Sequence, residues 1–218
     1  HYNFADSNTY AGTGTTVYDL TSNDKDGTLT NAPTFVDRAY GNYFDFDGSN
    51  DYIQTNLALT STNVTAEFWF NSDASTSQNQ PLFFTSNGGR IDVNIAEGTP
   101  EANGYYNILQ ILVPARYKWN HLAIVIEGFA GSYSGTYGSA ITFTVYLNGI
   151  KIASSGSLTP YAQTANGYEA NMRIGRSGGG YYFNGKIGQT RMYTAVLTQA
   201  QIRANYDATR TLYQGVGT

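Results

Sequence analysis

Three carboxylates, Asp19, Asp24 and Asp26, stand at i, i+5 and i+7 just ahead of Gly27. Oxygen ligands gathered on one loop are the donor set that calcium takes. An EF-hand is excluded, because Ser22 and Pro33 fall where its first and its bidentate ligands belong. A second acidic group, Asp45, Asp47 and Asp51, surrounds a Gly-Ser-Asn turn. At both places Asp and Gly also serve as ordinary turn formers. Other site chemistry is thinly provided. With no Cys and only His1 and His121, the nitrogen and sulfur set of a zinc site is out of reach. A nucleophile would have to use His121, which adjoins the apolar run 122–126 and reads as a half-buried strand histidine.

Tyrosine is the other plentiful chemical resource, at 19 of 218 residues. Tyr133 and Tyr137 lie in a Gly/Ser-rich stretch, Tyr161 and Tyr168 in a polar one, and Tyr181 and Tyr182 directly after the glycine run 178–180. Exposed aromatic faces beside Asn, Asp and Gln are what a saccharide stacks on and bonds to. Tyr-Ser-Gly loops equally suit adaptable protein contacts, including contacts with copies of the same chain.

Strands must carry these loops. Asn148-Gly149 separates the runs 145–147 and 151–153, and Asn-Gly tolerates the positive φ angles of a two-residue hairpin turn. A second hairpin is expected from 171–175 and 185–193 around the glycine run, and a third around 44–53, with Phe44, Phe46 and Tyr52 on one side. Helical spacing is confined to 198–206, where Ile202 and Tyr206 share a face. About a dozen short strands with frequent turns predict an all-β fold, a two-sheet antiparallel β-sandwich of jelly-roll type with one short C-terminal helix.

Composition agrees. Aromatics make up 15% and charged residues only 13%, with 24 Gly, as suits a turn-rich sandwich. No linker interrupts residues 1–218, which read as a single domain. The net charge of −4 and the lack of a basic stripe argue against nucleic acid. No apolar run has the length of a membrane helix. The first residue is His1, consistent with a processed N-terminus.

Several segments resemble a known family in order and spacing. Tyr18-Asp19-Leu20 with Gly27-Thr28-Leu29 and Pro33 looks like its opening, and Phe46-Asp47-Gly48 through Asp51-Tyr52-Ile53 like its FDG-x-x-DY-I segment. Ala66-Glu67-Phe68-Trp69-Phe70 is similar to its aromatic strand, Trp119-Asn120-His121-Leu122-Ala123 to its W-x-H-x-A strand, and Tyr146-Leu147-Asn148-Gly149 to its Y-x-N/D-G hairpin. The chain thus resembles a laminin G-like domain of the concanavalin A-like lectin/glucanase superfamily. That resemblance implies binding and assembly more than catalysis, and it implies calcium at a rim, which favours Asp19, Asp24 and Asp26.

The glucanases of the superfamily set carboxylates two residues apart on one strand. Here Arg90 and Asn94 stand where those acids belong beside Asp92, and Glu97 has the opposite parity. No catalytic residue is assigned and no enzyme activity is expected. The expected role is a non-catalytic surface or structural module, either a virion protein (capsid decoration or tail) or an exported adhesin, contacting glycans or proteins. The tail 203–210 resembles the ending of such domains in tailed-phage structural proteins. The alternatives are a secreted carbohydrate-binding module and a subunit of a self-assembling extracellular filament. An extracellular or virion-surface location goes with each.

Overall fold

The computed structural model describes residues 1–4, 6–58, 61–73, 80–85, 91–97, 101–105, 108–113, 117–128, 141–158, 171–177 and 180–215. In chain order the first strands are β1 (Thr16–Val17), β2 (Gly27–Thr30), β3 (Thr34–Val36), β4 (Tyr43–Asp47) and β5 (Tyr52–Thr55). Next come β6 (Asn63–Ser72), β7 (Gln80–Thr85), β8 (Ile91–Glu97), β9 (Glu101–Tyr105) and β10 (Ile108–Val113). The chain continues through β11 (Asn120–Glu127), β12 (Ile141–Leu147), β13 (Ile150–Leu158), β14 (Arg173–Ile174), β15 (Asn184–Tyr193) and helix α1 (Gln199–Tyr213). Among the described residues these form an eight-stranded sheet, β1-β2-β5-β14-β7-β8-β10-β9, and a seven-stranded one, β13-β12-β11-β6-β15-β4-β3. Neighbours are antiparallel except β8 and β10, which run parallel.

The sandwich core explains the strand sequences. Phe44, Phe46, Phe68, Phe70, Ile53 and Phe83 meet between the sheets, each fully or almost fully buried. Burial does not alternate along β6 and β11 because both of their faces are covered, even though β6 alternates polar and apolar residues from Asn63 to Phe68. On β6, Phe68 and Phe70 face the opposite sheet, while Trp69 packs against Tyr206 and Tyr213 of α1.

Asn148 and Gly149 have φ of 52° and 75°, and they join β12 to β13 as the dipeptide predicts. The turn does more than reverse the chain. Asn148 Oδ1 accepts from the His121 N–H at 2.9 Å, and a Cβ on Gly149 would lie 2.8 Å from Arg203 Cδ. The hairpin tip is therefore the seat of α1.

Thr198 caps the helix and shares a capping box with Gln201, which stops the N-terminal turn from fraying. The helix runs beyond the expected Tyr206 to Tyr213, burying Ile202, Tyr206, Thr209 and Tyr213 along one stripe. Gly188 leaves room for the Tyr213 ring, since a Cβ there would sit 2.4 Å from Cε1. The β15–β6 register slips between Ile187 and Thr190, and the N–H of Gln189 within that irregularity donates to Tyr213 Oη at 2.7 Å.

Two expected hairpins are corrected. β4 and β5 lie in different sheets, so residues 48–51 form an arch between them. Ile53 and Thr55 consequently face inward, and Tyr52 faces outward with Gln54. Likewise β14 joins the eight-stranded sheet and β15 the other. Gly175, at φ 82° and 2.9 Å from the Phe46 ring by its absent Cβ, makes that crossing over the core.

Candidate functional site

The helix covers the outer face of the seven-stranded sheet, and a cleft opens on the outer face of the other. Register sets its floor: Thr28 lies opposite Gln54 and Thr30 opposite Tyr52, while Leu29 and Ile53 point into the core. Gly27 permits the close approach, because a Cβ there would meet Ile53 Cγ2 at 2.7 Å. Together with Asn171, these four outward side chains line an open cleft of about 390 Å³. Hydroxyls, amides and one aromatic ring make up its surface.

Neighbouring groups hold that surface still. Arg173 pairs with Gln54 across the β5–β14 ladder, and its Nε donates to Gln54 Oε1 at 3.0 Å. Arg176 lies against two tyrosines, its guanidinium carbon 4.9 Å from the Tyr52 ring centroid and 5.4 Å from that of Tyr182. Tyr182 is placed by a backbone bridge to Arg176, and Ser177 Oγ accepts from the Tyr181 N–H at 3.2 Å. Tyr181 is about half exposed.

A second polar cluster is sealed beneath α1. Glu67 is buried, with Asn205 Nδ2 donating to its Oε2 at 2.9 Å and Arg191 Nη1 at 3.9 Å from the same oxygen. Burial pushes the Glu67 carboxyl up to about 7, against the opposing pull of Arg191, Asn205 and Tyr193. Its Oε1 is 3.8 Å from His121 Nε2. Burial first, then Arg191, drives the imidazole down to about 3, so this contact is not an ion pair at neutral pH. Glu67 Oε1 and His121 Nδ1 have no hydrogen-bond partner among the described residues. Both side chains are only 2% exposed, and Asn205 of α1 supplies the bond to Glu67.

A family model described as the concanavalin A-like lectin/glucanases superfamily matches residues 47–203. The chain belongs to that superfamily. No curated protein sequence matches this concanavalin A-like domain. Among solved structures, domain 4 of AbnA, a GH43 extracellular arabinanase from Geobacillus stearothermophilus in complex with arabinotriose, is 18% identical, with TM-score 0.59 over 93% of this chain and 95% of that one. The receptor-binding domain of botulinum neurotoxin C/D mosaic serotype is 13% identical, with TM-score 0.54 over 88% of this chain and 48% of that one. Trypanosoma rangeli sialidase is also 13% identical, with TM-score 0.58 over 97% of this chain and 33% of that one. This domain thus corresponds to about half of the toxin chain and a third of the sialidase. At these identities the likeness is one of fold.

Within the concanavalin A-like frame the expected site residues scatter. Tyr182 reaches the cleft region through Arg176, and Tyr181 is its neighbour on the loop. Tyr133, Tyr137, Tyr161 and Tyr168 lie outside the described residues. Asp19 is committed to its own loop: Oδ1 accepts from the His1 main-chain nitrogen at 2.6 Å and the Thr21 N–H at 3.1 Å, Oδ2 from Thr21 Oγ1 at 2.8 Å and the Lys25 N–H at 3.1 Å. Asp26 Oδ1 accepts from the Asp19 N–H at 2.9 Å, while Asp24 is exposed at φ 50°. Among the described residues no three His, Cys, Asp or Glu side chains converge as a metal set. The backbone of β8 pairs with β10 from Asp92 to Glu97 without a register shift, so Glu97 keeps its opposite parity to Asp92, and Arg90 lies outside the described residues. His121 is fully buried, where half-burial was expected.

Sequence reasoning missed Thr28, Thr30, Tyr52, Gln54 and Asn171. The signal was present as alternation: Thr28 and Thr30 flank Leu29, and Tyr52 and Gln54 flank Ile53. A hairpin over Phe46-Asp47-Gly48 to Asp51-Tyr52-Ile53 would place Tyr52 on the core side, whereas the arch turns it outward.

Proposed function

We propose that this concanavalin A-like domain is a non-catalytic saccharide-binding module of an exported or virion-surface protein, and that the saccharide lies in the cleft on the eight-stranded sheet. One observation carries the reading: a sheet face that none of the described elements covers presents Tyr52 for stacking beside Thr28, Thr30, Gln54 and Asn171 for hydroxyl bonding. The fold likeness to the arabinanase domain in complex with arabinotriose supports the same class of ligand.

Binding to a glycan array, followed by calorimetry on the best member, tests the proposal. Tyr52→Ala and Gln54→Ala are each expected to weaken binding at least about tenfold, or about 1.4 kcal/mol. Retention of no glycan, or unchanged affinity in both variants, would overturn the cleft assignment. A large particle in light scattering would favour an assembly subunit instead.

Calcium at Asp19, Asp24 and Asp26 belongs to this reading only as a rim ion, and it would have to displace the four donors that already fill the lone pairs of Asp19. A chelator is therefore expected to leave the melting temperature unchanged. A fall of several degrees would place a stabilising cation there.

A further inference from the structure

We propose that Arg176 makes the cleft selective for saccharides bearing a carboxylate, uronates or sialates, over their neutral parents. This rests on the saccharide reading above and adds a charge requirement to it. The guanidinium is held at the Tyr52 end of the cleft, stacked on both Tyr52 and Tyr182. Its Nε is buried and has no hydrogen-bond partner among the described residues. The ion pairs of the described residues use Lys186, Arg191, Arg203 and Arg210 as their side-chain cations, and none reaches Arg176. A cation positioned by two rings, with no ion-pair partner among the described residues, is an unmet demand for an anion.

The shape of the demand is also set. Guanidinium offers forked N–H donors that match the two oxygens of a carboxylate. The ring contacts fix its plane beforehand, so little side-chain freedom is lost on pairing. Tyr52 and Gln54 are two residues apart on one strand face, a span of about 7 Å. That is room for one sugar ring, with its hydroxyls near Gln54 and an exocyclic acid group at Arg176. Arg173, bonded to Gln54 Oε1, fixes the amide end.

The test pairs each acidic glycan with its neutral parent on one array, such as oligogalacturonate beside oligogalactose and sialyl-lactose beside lactose. The wild-type domain is expected to hold at least one acidic member about tenfold or more tighter than its parent, with a preference that fades as salt rises. Arg176→Gln should erase the preference of acidic members over their neutral parents, and Arg176→Lys should keep part of it. Equal retention of acidic and neutral members by the wild type would overturn the inference and leave the cleft assignment standing. So would a preference that survives in Arg176→Gln. If that variant melts early, the salt response of the wild type decides, and a salt-insensitive preference counts against Arg176. Retention of no member at all refutes the underlying saccharide reading.

Discussion

Trp69→Ala is expected to destabilise the domain by about 3–5 kcal/mol, the cost of emptying a large aromatic site in a packed interior. Trp69 is 1% exposed and lies 4.9 Å from the Tyr213 ring centroid and 5.8 Å from that of Tyr206, nearly parallel to both. Its Nε1 donates to Thr209 Oγ1 at 2.8 Å, so losing the indole also costs a buried hydrogen bond, although the Thr209 hydroxyl still donates to the Asn205 carbonyl. For a domain of this size the melting temperature should fall by about 6–20 °C. Trp69→Phe keeps most of the stack and loses the hydrogen bond, so about 1–2 kcal/mol is expected. Thermal and urea denaturation check both values. A Trp69→Ala loss below about 1 kcal/mol would mean that α1 is held on the sheet by something else.

The second large effect is a pH dependence seated in Glu67 and His121. Glu67 has a folded pKa raised to about 7 from an ordinary 4.5, so its contribution is complete below pH 4.5 and is lost as pH rises through about 7. The full swing is about 3 kcal/mol. His121 works in the other direction. Its folded pKa is lowered to about 3 from 6.5, so its contribution is complete above pH 6.5 and disappears as the pH falls toward 3. Between pH 4.5 and 6.5 the two slopes oppose each other, and stability should be nearly flat there. Among the described residues, Arg191, Asn205 and Tyr193 are the other charged and polar groups facing Glu67, with His1 beyond Arg191. Glu67→Gln keeps an acceptor for Asn205 and cannot ionise. Its excess in melting temperature over wild type should grow from pH 4.5 to about 7 and stay constant above that. An offset that does not change between pH 4.5 and 7 would place the titration elsewhere.

What the sequence disclosed, and what it hid, follows from the range of the interactions involved. Asn148-Gly149 was legible because positive φ at two successive positions is a local demand. The start of α1 was legible because Ile202 and Tyr206 repeat at helical spacing. Its last two turns were not, since 207–211 read as polar and only Thr209 among them is buried, under Trp69. Tail residues that suggested a virion protein have intramolecular work to do: Asn205 bonds Glu67, Tyr206 stacks on Trp69 and Thr209 bonds it.

Pairing between distant strands left no comparable trace. A run such as 43–55 has the same inward and outward alternation whether its strands join in one sheet or arch between two. The choice is made by partners far along the chain, β15 for β4 and β14 for β5. The cleft inherits that opacity. Tyr52 and Gln54 become a surface only when β2 and β14 flank them, and Arg176 finds Tyr52 only because Gly175 turns the chain at that point.

The position of β15 also dictates how the molecule must be completed during synthesis. It lies between β6 and β4, both made long before it. Until Tyr193 has been made, β6 and β4 lack the strand that joins them, and any sheets they form present open edges where β15 must insert. Those edges are templates for any neighbouring nascent chain, and closing them requires contacts that span well over a hundred residues, a slow step by the usual dependence of folding rate on contact separation. Only afterwards can α1 settle over Trp69 and Glu67 and shut them away from water. The same late strand that joins the sheet into one piece is thus the narrowest passage in its biogenesis.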